Sequence, residues 1–414
     1  MNRKIPVYLQ ILIGMGVGII VGLVALGVNG NQFVTDWIQP WGKIFIRLLQ
    51  LVAVPLVFVS LIKGVVGIGD VSRFSKMGLK TLILFVVTTI FAILLGITLV
   101  TIIKPGQFFD IVIDETLSTA ISERGREGGP LDFLFQIIPN NIFAAASTNG
   151  KMMQIIFFAI LFGIAALSIG SEKSKPVLKL FNSLYDIILK MVEFIIKTAP
   201  YGVMALMAGL VVDTSGDTGM FSALATYGLT VVLGLVIICF VVYPLLMKYF
   251  TGMPIKRFLK EAYPAQLVAF STSSSAATLP VTMDVAKNRL GICPETVSFV
   301  MPVGATLNMD GTSLFQAVSI IFITQVLGLD LTFGQMLTII LMTTISSIGA
   351  PGIPGGSYVV MTMVLASIGV PPQALVLILG IDRPLDMMRT AVNVTGDFLV
   401  AAIVSKTKNS TNYR

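Results

Sequence analysis

Residues 380–397 read GIDRPLDMMRTAVNVTGD. This stretch lies inside the last apolar segment of the chain, residues 372–405, although it is rich in ionisable side chains. At 3.6 residues per turn, its polar members share one helical stripe about 80° wide. They are Asp382, Asp386, Arg389, Asn393 and Asp397. Each charge at bilayer depth costs roughly 2.5–3.5 kcal/mol to insert, so the stripe must face protein, water or bound ions.

Two interpretations of this stripe stay open from the residues alone. It is either a structural ladder of salt bridges between helices, or a site for ions and a zwitterionic or anionic solute. Arg389 indicates the solute, because a guanidinium stays charged and binds carboxylates bidentately. Asp386, one turn earlier, can accept an ammonium, and Asp382 can hold Arg389 when the site is empty. Two carboxylates and one amine describe an acidic amino acid.

The composition places the chain in a membrane. Of its 414 residues, 55% are hydrophobic and 12% charged, and the mean hydropathy is +0.91. A soluble domain has about 25% charged residues. The net charge of +7 therefore does not indicate nucleic acid, since the basic residues fall in predicted cytoplasmic loops. The two cysteines suggest neither a disulfide framework nor a metal cluster, and the absence of histidine removes the commonest metal ligand.

Apolar runs long enough to span a bilayer fill the first 250 residues. They lie at 6–29, 44–69, 79–103, 150–170, 176–211 and 222–249. The first run is too long for a signal peptide and is interpreted as a transmembrane helix. With the N-terminus in the cytoplasm, the loops after the second, fourth and sixth spans carry the lysines and arginines, as the positive-inside rule requires. The same count puts the C-terminus in the cytoplasm, and we expect a multi-pass protein of the inner (plasma) membrane.

From Pro264 onward, polar clusters interrupt the apolar segments. They are STSSSAATLP (271–280), NMDGT (308–312) and SSIGAPGIPGGS (346–357). Pro and Gly cannot continue a helix here, and unpaired backbone cannot face lipid. We therefore expect re-entrant hairpins at 256–285 and 334–370, one entering from each side and each followed by a helix. Charge alone would also allow both hairpins to cross fully. Such an inverted repeat predicts a site at mid-membrane.

Each polar cluster has a specific and a general interpretation. The NMDGT cluster predicts local unwinding that exposes carbonyls beside Asp310, and oxygen donors of this kind suit Na⁺ or Ca²⁺. Ser273, Ser274 and Ser275 either cap a short helix or present hydroxyls and N–H groups to a carboxylate. Residues 349–356, rich in Gly and Pro, form either a gate or a simple surface turn.

Two other classes of protein are disfavoured. Residues 67–70 (GIGD) match a motif of intramembrane aspartyl proteases, and Tyr185-Asp186 resembles the partner motif, but the order is reversed and Asp70 lies at a membrane edge. An ion channel needs weak binding at several sites, whereas paired charges hold a solute specifically. We therefore predict a protein that is not an enzyme.

The motifs SSSAATLP, NMDGT, GIPGG and DMMRTAVNVTGD, in this order, resemble the dicarboxylate/amino acid:cation symporter family, the glutamate transporter family. The similarity covers nearly the whole chain. It implies an all-α polytopic membrane protein with eight transmembrane helices, two re-entrant helical hairpins and inverted repeats. It also implies a homotrimer in which each protomer moves a transport domain against a scaffold as an elevator.

The resemblance also implies a division of the chain. Residues 1–75 and 105–218 would form the scaffold. The transport domain would comprise 76–104, 219–254, the first hairpin 255–290, helix 291–330, the second hairpin and gate 331–371, and helix 372–406. Residues 407–414 would be a cytoplasmic tail.

Carried over to this chain, the family pattern implies one substrate site and three Na⁺ sites. The substrate-binding residues would be Ser274, Ser275, Thr312, Gly355, Ser357, Asp386, Arg389, Thr390 and Asn393. Asp386 would hold the amine, Arg389 and Thr312 the distal carboxylate, and Asn393 with the serine tip the α-carboxylate. The first Na⁺ would use Gly304, Asn308, Asn393 and Asp397. The second would use Thr306, Ser347, Ile348 and Ala350. The third would use Phe85, Thr88, Thr89, Asn308 and Asp310.

Four departures from the family pattern bear on function. The serine tip has one extra small residue, which leaves open which serine binds. Family members usually carry an arginine at one of two positions, which are Ser273 and Met387 in this chain; Arg383, one turn from Met387, is placed to substitute. Ser357 replaces a glycine, so the choice between aspartate and glutamate stays open. Gln316 replaces the glutamate of proton-coupled animal members. We predict a Na⁺-coupled symporter of aspartate, glutamate or both; a symporter of neutral amino acids or C4-dicarboxylates is the alternative.

Overall fold

The computed structural model of this chain describes residues 7–69, 75–108, 138–147, 151–213, 219–349, 356–379 and 381–408. Over these ranges the regular structure is helical, and no strand occurs among them. This agrees with the predicted all-α class.

The six apolar runs of the first half each coincide with a helix, as predicted. The helices are α1 Val7–Gly27, α2 Gln39–Gly69, α3 Ser75–Ile103, α4 Met152–Ser168, α5 Ser171–Asp213 and α6, which comprises Gly219–Ile237, a π-turn at Ile238–Val242 and Tyr243–Thr251. Shorter helical pieces lie at Asn31–Phe33, Val34–Ile38, Pro105–Phe108 and Ile142–Ala146. The sequence pattern did not predict the π-turn in α6.

The second half contains shorter helices, which agrees with the polar interruptions in its sequence. They are α7 Ile255–Thr272, α8 Ser275–Asp284, α9 Pro294–Leu307, α10 Asp310–Val326, α11 Phe333–Gly349, α12 Gly356–Ser367 and the longer α13 Asp382–Lys408. Short pieces occupy Val285–Arg289, Pro372–Leu375 and Val376–Leu379. The expected single helix over 372–406 is instead seen as the 3₁₀ turn, the short helix Val376–Leu379 and α13. Pro371 and Pro372, which lack a backbone N–H, precede and open the 3₁₀ turn.

Five helical segments of the described residues are long and apolar enough to cross a membrane. They are Leu9–Gly27, Asn31–Lys63, Met77–Gln107, Ser222–Thr251 and Pro384–Lys406. A sixth is the pair Glu172–Ile195 and Lys197–Asp213, bent by 44°, if it is one span. The chain is thus a multi-pass membrane protein, whereas eight spans and two re-entrant hairpins stay a prediction.

The helices pack in two groups. In the first, α5 runs along α1 and α2, and α4 packs on α2. In the second, α13 contacts α7, α9 and α10, and α10 also packs on α3 and α6. Helices α11 and α12 contact both α2 and members of the second group. The division of the chain into a scaffold and a transport domain stays a prediction.

A stripe of small residues on α1 lets it approach α5 closely. A Cβ atom added at Gly18 would lie 2.3 Å from the carbonyl oxygen of Met204, and one at Gly14 would lie 2.4 Å from that of Pro200. Gly22 is similarly close to Val211. Small residues at this spacing allow membrane helices to gain packing contacts across a short distance. Gly16, on another face of α1, has no atom within 4 Å of its added Cβ.

We expect Gly18→Ala to lower the melting temperature of the purified protein, whereas Gly16→Ala leaves it unchanged or slightly higher. Overpacking a close contact costs about 1–3 kcal/mol, while alanine favours a helix over glycine by up to about 1 kcal/mol. Thermal unfolding of the two variants in the same detergent measures the difference. Equal melting temperatures would contradict the close packing of α1 on α5.

Candidate substrate and cation site

Arg389 is fully buried at the centre of the charged stripe on α13. Its Nη1 donates to Asp382 Oδ1 at 2.6 Å, and its Nη2 donates to Asp386 Oδ1 at 2.8 Å. The guanidinium also lies over the ring of Phe315, 3.7 Å from its centroid. The helical spacing brings both carboxylates to the arginine, as the sequence predicted. Arg389 is thus bound by two carboxylates of its own helix.

Helix α12 contacts this charged group through two neighbouring side chains. The Tyr358 hydroxyl donates to Asp382 Oδ2 at 2.6 Å, and Ser357 Oγ lies 3.5 Å from Arg389 Nη2. Ser357 was predicted from the family pattern, but Tyr358 was not, because it follows the polar tip as one residue of an apolar run. The guanidinium keeps one donor, Nε, that has no hydrogen-bond partner among the described residues.

Helices α9 and α10 are separated by a short break, as the NMDGT cluster predicted. Helix α9 ends at Leu307, and Asn308 and Met309 have non-helical backbone angles before α10 begins at Asp310. The unwinding is confined to these two residues. Asn393 of α13 joins the break, because its Oδ1 accepts from the Gly311 amide at 2.8 Å. Its Nδ2 lies 3.3 Å from the hydroxyl of Thr312, another predicted substrate residue.

The four residues predicted for the first Na⁺ site lie together. Asn308 Nδ2 donates to Asp397 Oδ1 at 2.9 Å and to the Asn393 carbonyl at 3.1 Å. A Cβ on Gly304 would lie 2.3 Å from Asp397 Oδ1, so only glycine fits there. Asn308 Oδ1 is buried and has no hydrogen-bond partner among the described residues. This group therefore offers an amide oxygen, a carboxylate and backbone carbonyls in one place, which suits a hard cation.

Asp310, a member of the third predicted Na⁺ site, is fully buried. Its Oδ1 accepts from the Thr89 hydroxyl at 2.7 Å, and its Oδ2 accepts from the Tyr243 hydroxyl at 2.5 Å. The Thr88 hydroxyl lies 3.1 Å from the Phe85 carbonyl, to which it can donate. Tyr243 was not predicted, since it lies in an apolar run.

The second predicted Na⁺ site falls at two helix ends. Thr306 lies in the last turn of α9, and Ser347 and Ile348 lie in the last turn of α11. These two helices contact each other. The last carbonyls of a helix lack partners within it and carry partial negative charge. Ala350, the fourth member, and Gly355 of the substrate set lie outside the described residues.

The tip of the first predicted hairpin is a tight turn between α7 and α8. Ser273 adopts a left-handed conformation (φ 50°), and Ser274 caps α8 by accepting from the Ala277 amide at 3.2 Å. Ser275 begins α8 and is buried. The capping role is thus present, while a role in substrate binding stays a prediction. Thr390, also predicted for the substrate site, is buried and donates to the Asp386 carbonyl at 2.9 Å.

Membrane-spanning helices that enclose a broken helix, helix ends and a buried set of opposite charges define a secondary transporter of ions and small solutes. Residues 7–407 match the model of the sodium:dicarboxylate symporter family, and the chain belongs to this family. It is therefore a transporter and not an enzyme, as predicted.

Characterised relatives are similar over nearly their whole length. The chain is 37% identical to a proton/sodium-glutamate symport protein of Geobacillus stearothermophilus, over 99% of this chain and 96% of that protein. It is 33% identical to the proton/glutamate-aspartate symporter of Escherichia coli, over 98% and 93%. It is also 32% identical to a C4-dicarboxylate transport protein of Bacillus subtilis, over 97% and 93%.

Proposed function

We propose that this protein is a secondary active, sodium-coupled symporter of acidic amino acids, L-aspartate, L-glutamate or both. The observation that carries the proposal is the buried Arg389, which is paired with Asp386 on the same helix and whose Nε has no hydrogen-bond partner among the described residues. A guanidinium provides a fork for a distal carboxylate, and Asp386 provides an acceptor for an amine. The relatives named for glutamate and aspartate support this substrate class.

The substrate would bridge four elements: α13, α10, α12 and the serine tip between α7 and α8. Its distal carboxylate would bind Arg389, Thr312 and Ser357. Its amine would bind Asp386, and its α-carboxylate would bind Asn393 and the serine tip. On binding, Asp386 would exchange Arg389 for the amine. Gly355 and Thr390 would complete the lining, as the family pattern implies.

The charge of the site supports cation coupling. In the part of the chain that the structure describes, the buried charged side chains are four carboxylates and one guanidinium. An acidic substrate adds a further negative charge, and burying unpaired charge is costly. Bound Na⁺ at the three predicted sites would offset it. The absence of histidine and the neutral Gln316 favour Na⁺ over a proton route, although some relatives are named for protons as well.

The mechanism would be alternating access by an elevator. The group of helices around α13 would move against the group around α5, within a homotrimer whose termini face the cytoplasm. The Gly- and Pro-rich tip at 349–356 would close only when ions and substrate are both bound, because only then is the pocket close to neutral.

The proposal is tested by uptake of radiolabelled L-aspartate and L-glutamate into proteoliposomes with imposed Na⁺, H⁺ or K⁺ gradients. We expect accumulation that requires an inward Na⁺ gradient. Accumulation driven only by H⁺ would contradict sodium coupling. Uptake of succinate or malate that acidic amino acids do not inhibit would instead support the C4-dicarboxylate alternative, which leaves Asp386 without an amine.

A further inference from the structure

Tyr358 gives the charged group a partner from a different helix. Its hydroxyl donates to Asp382 Oδ2 at 2.6 Å, while Asp382 Oδ1 accepts from Arg389 Nη1, also at 2.6 Å. Tyr358 and Asp382 are both buried. Asp382 is thus bound at one oxygen by the arginine and at the other by a neutral hydroxyl on α12.

The two carboxylates that bind Arg389 are not equivalent. The side chain of Asp382 is 3% exposed and that of Asp386 is 12% exposed. Asp386 therefore lies nearer to the space from which a solute would arrive. Asp382, enclosed and bound on both sides, is the resident partner of the arginine.

The Tyr358 hydroxyl limits how many donors Asp382 takes from the arginine. A buried carboxylate oxygen needs a hydrogen-bond donor. Without the hydroxyl, Asp382 Oδ2 would lack this donor, and the guanidinium that already binds Asp382 Oδ1 has further N–H groups to offer. Carboxylates readily bind a guanidinium through two parallel hydrogen bonds. Asp382 would then occupy the donors that the distal carboxylate of a substrate needs, including Nε, which has no partner among the described residues.

We infer that Tyr358 is a positioning residue that determines specificity: by holding Asp382 to a single nitrogen of Arg389, it keeps the guanidinium open to the distal carboxylate of the substrate. This inference rests on the proposed function, because it assumes that Arg389 receives that carboxylate. Tyr358 acts through Asp382 and does not touch the substrate. Its contribution therefore applies to amino acids with a second carboxylate and not to those without one.

The test is Tyr358→Phe, which removes one hydroxyl and keeps the ring. We expect the KM for L-aspartate uptake to rise about tenfold. This corresponds to the lower end of the free-energy range for a hydrogen bond to a charged group. The maximal rate and the Na⁺ concentration for half-maximal uptake should stay within about twofold, as should the inhibition constant of L-asparagine. In an Asp382→Asn background the same change should have little effect, because the competing anion is gone.

Tyr227→Phe is the matched control, because Tyr227 is also fully buried and its hydroxyl bonds to a neutral partner, Ser319, at 2.7 Å. We expect it to leave the ratio of the aspartate KM to the asparagine inhibition constant unchanged. Should Tyr358→Phe fail to insert, Tyr358→Met removes the same hydroxyl. An unchanged ratio in the Tyr358 variant, or an equal loss for all ligands, would overturn the inference alone. A wild-type protein that transports no acidic amino acid would overturn the proposed function, and the inference with it.

Discussion

Replacing Arg389 with cysteine is expected to abolish the uptake of L-aspartate and L-glutamate. The guanidinium is fully buried between Asp382 and Asp386. Removing one member of a buried charge pair costs about 2–5 kcal/mol, or roughly thirtyfold to several thousandfold in affinity. Radiolabelled uptake into proteoliposomes at saturating Na⁺ measures the loss. Neutral amino acids do not need the guanidinium, so we expect the variant to admit them.

Arg289→Cys is the matched control, because Arg289 is exposed and lies 3.9 Å from Glu261, a weak surface pair. Such pairs contribute about 0–1 kcal/mol, and uptake should stay at the wild-type level. Na⁺-dependent uptake of a neutral amino acid by Arg389→Cys would show that the variant is folded. Undiminished aspartate uptake by Arg389→Cys would refute the role of the arginine.

Replacing Asp310 with alanine is expected to raise the Na⁺ concentration for half-maximal uptake by about tenfold or more, since a bound cation would lose a buried carboxylate. The change also leaves the hydroxyls of Thr89 and Tyr243 without their acceptor. Asp397→Ala should act in the same direction, because Asp397 lies against Asn308 and Gly304. Uptake measured over a range of Na⁺ concentrations, with choline as the replacement cation, gives the shift.

Asp284→Ala serves as the control for charge removal. Asp284 is the last residue of α8 and is exposed. Among the described residues, its side chain accepts a local hydrogen bond from Asn288 Nδ2 at 2.7 Å. Its removal should leave the Na⁺ dependence unchanged. If Asp310→Ala and Asp397→Ala also kept the wild-type Na⁺ dependence, neither carboxylate would be a cation ligand.

Much of the fold could be predicted because its signals are local. Uninterrupted apolar runs indicated α1 to α6, and the polar cluster at 308–312 indicated the break between α9 and α10. The stripe on α13 followed from helical periodicity, which places Asp382, Asp386 and Arg389 on one face of the helix. In each case the cause lies within a few residues of its effect.

The remaining features depend on contacts between distant parts of the chain. Tyr243 and Tyr358 read as members of apolar helices, yet their hydroxyls bind Asp310 and Asp382. Tyrosine combines an apolar ring with a polar tip, so periodicity alone does not reveal which function it serves. The sequence likewise does not predict the close approach of α1 to α5, which depends on the contact between Gly18 and Met204.

The same limit applies to the cation sites. Their members were predicted from a family resemblance, and the structure brings Asn308, Asn393, Asp397 and Gly304 into one group through hydrogen bonds and close packing. Residues alone could place Asp310 and Asp397 in the membrane but could not pair Asp310 with Thr89, which is 221 positions away.

The most direct measurement is the equilibrium binding of L-aspartate to the purified protein as a function of Na⁺ concentration. If acidic substrate and Na⁺ together balance the buried charges around Arg389, the Kd for L-aspartate should fall steeply as the Na⁺ concentration rises. No binding should be detectable when choline replaces Na⁺. Binding of equal strength in choline and in Na⁺, or no binding in either, would contradict the account.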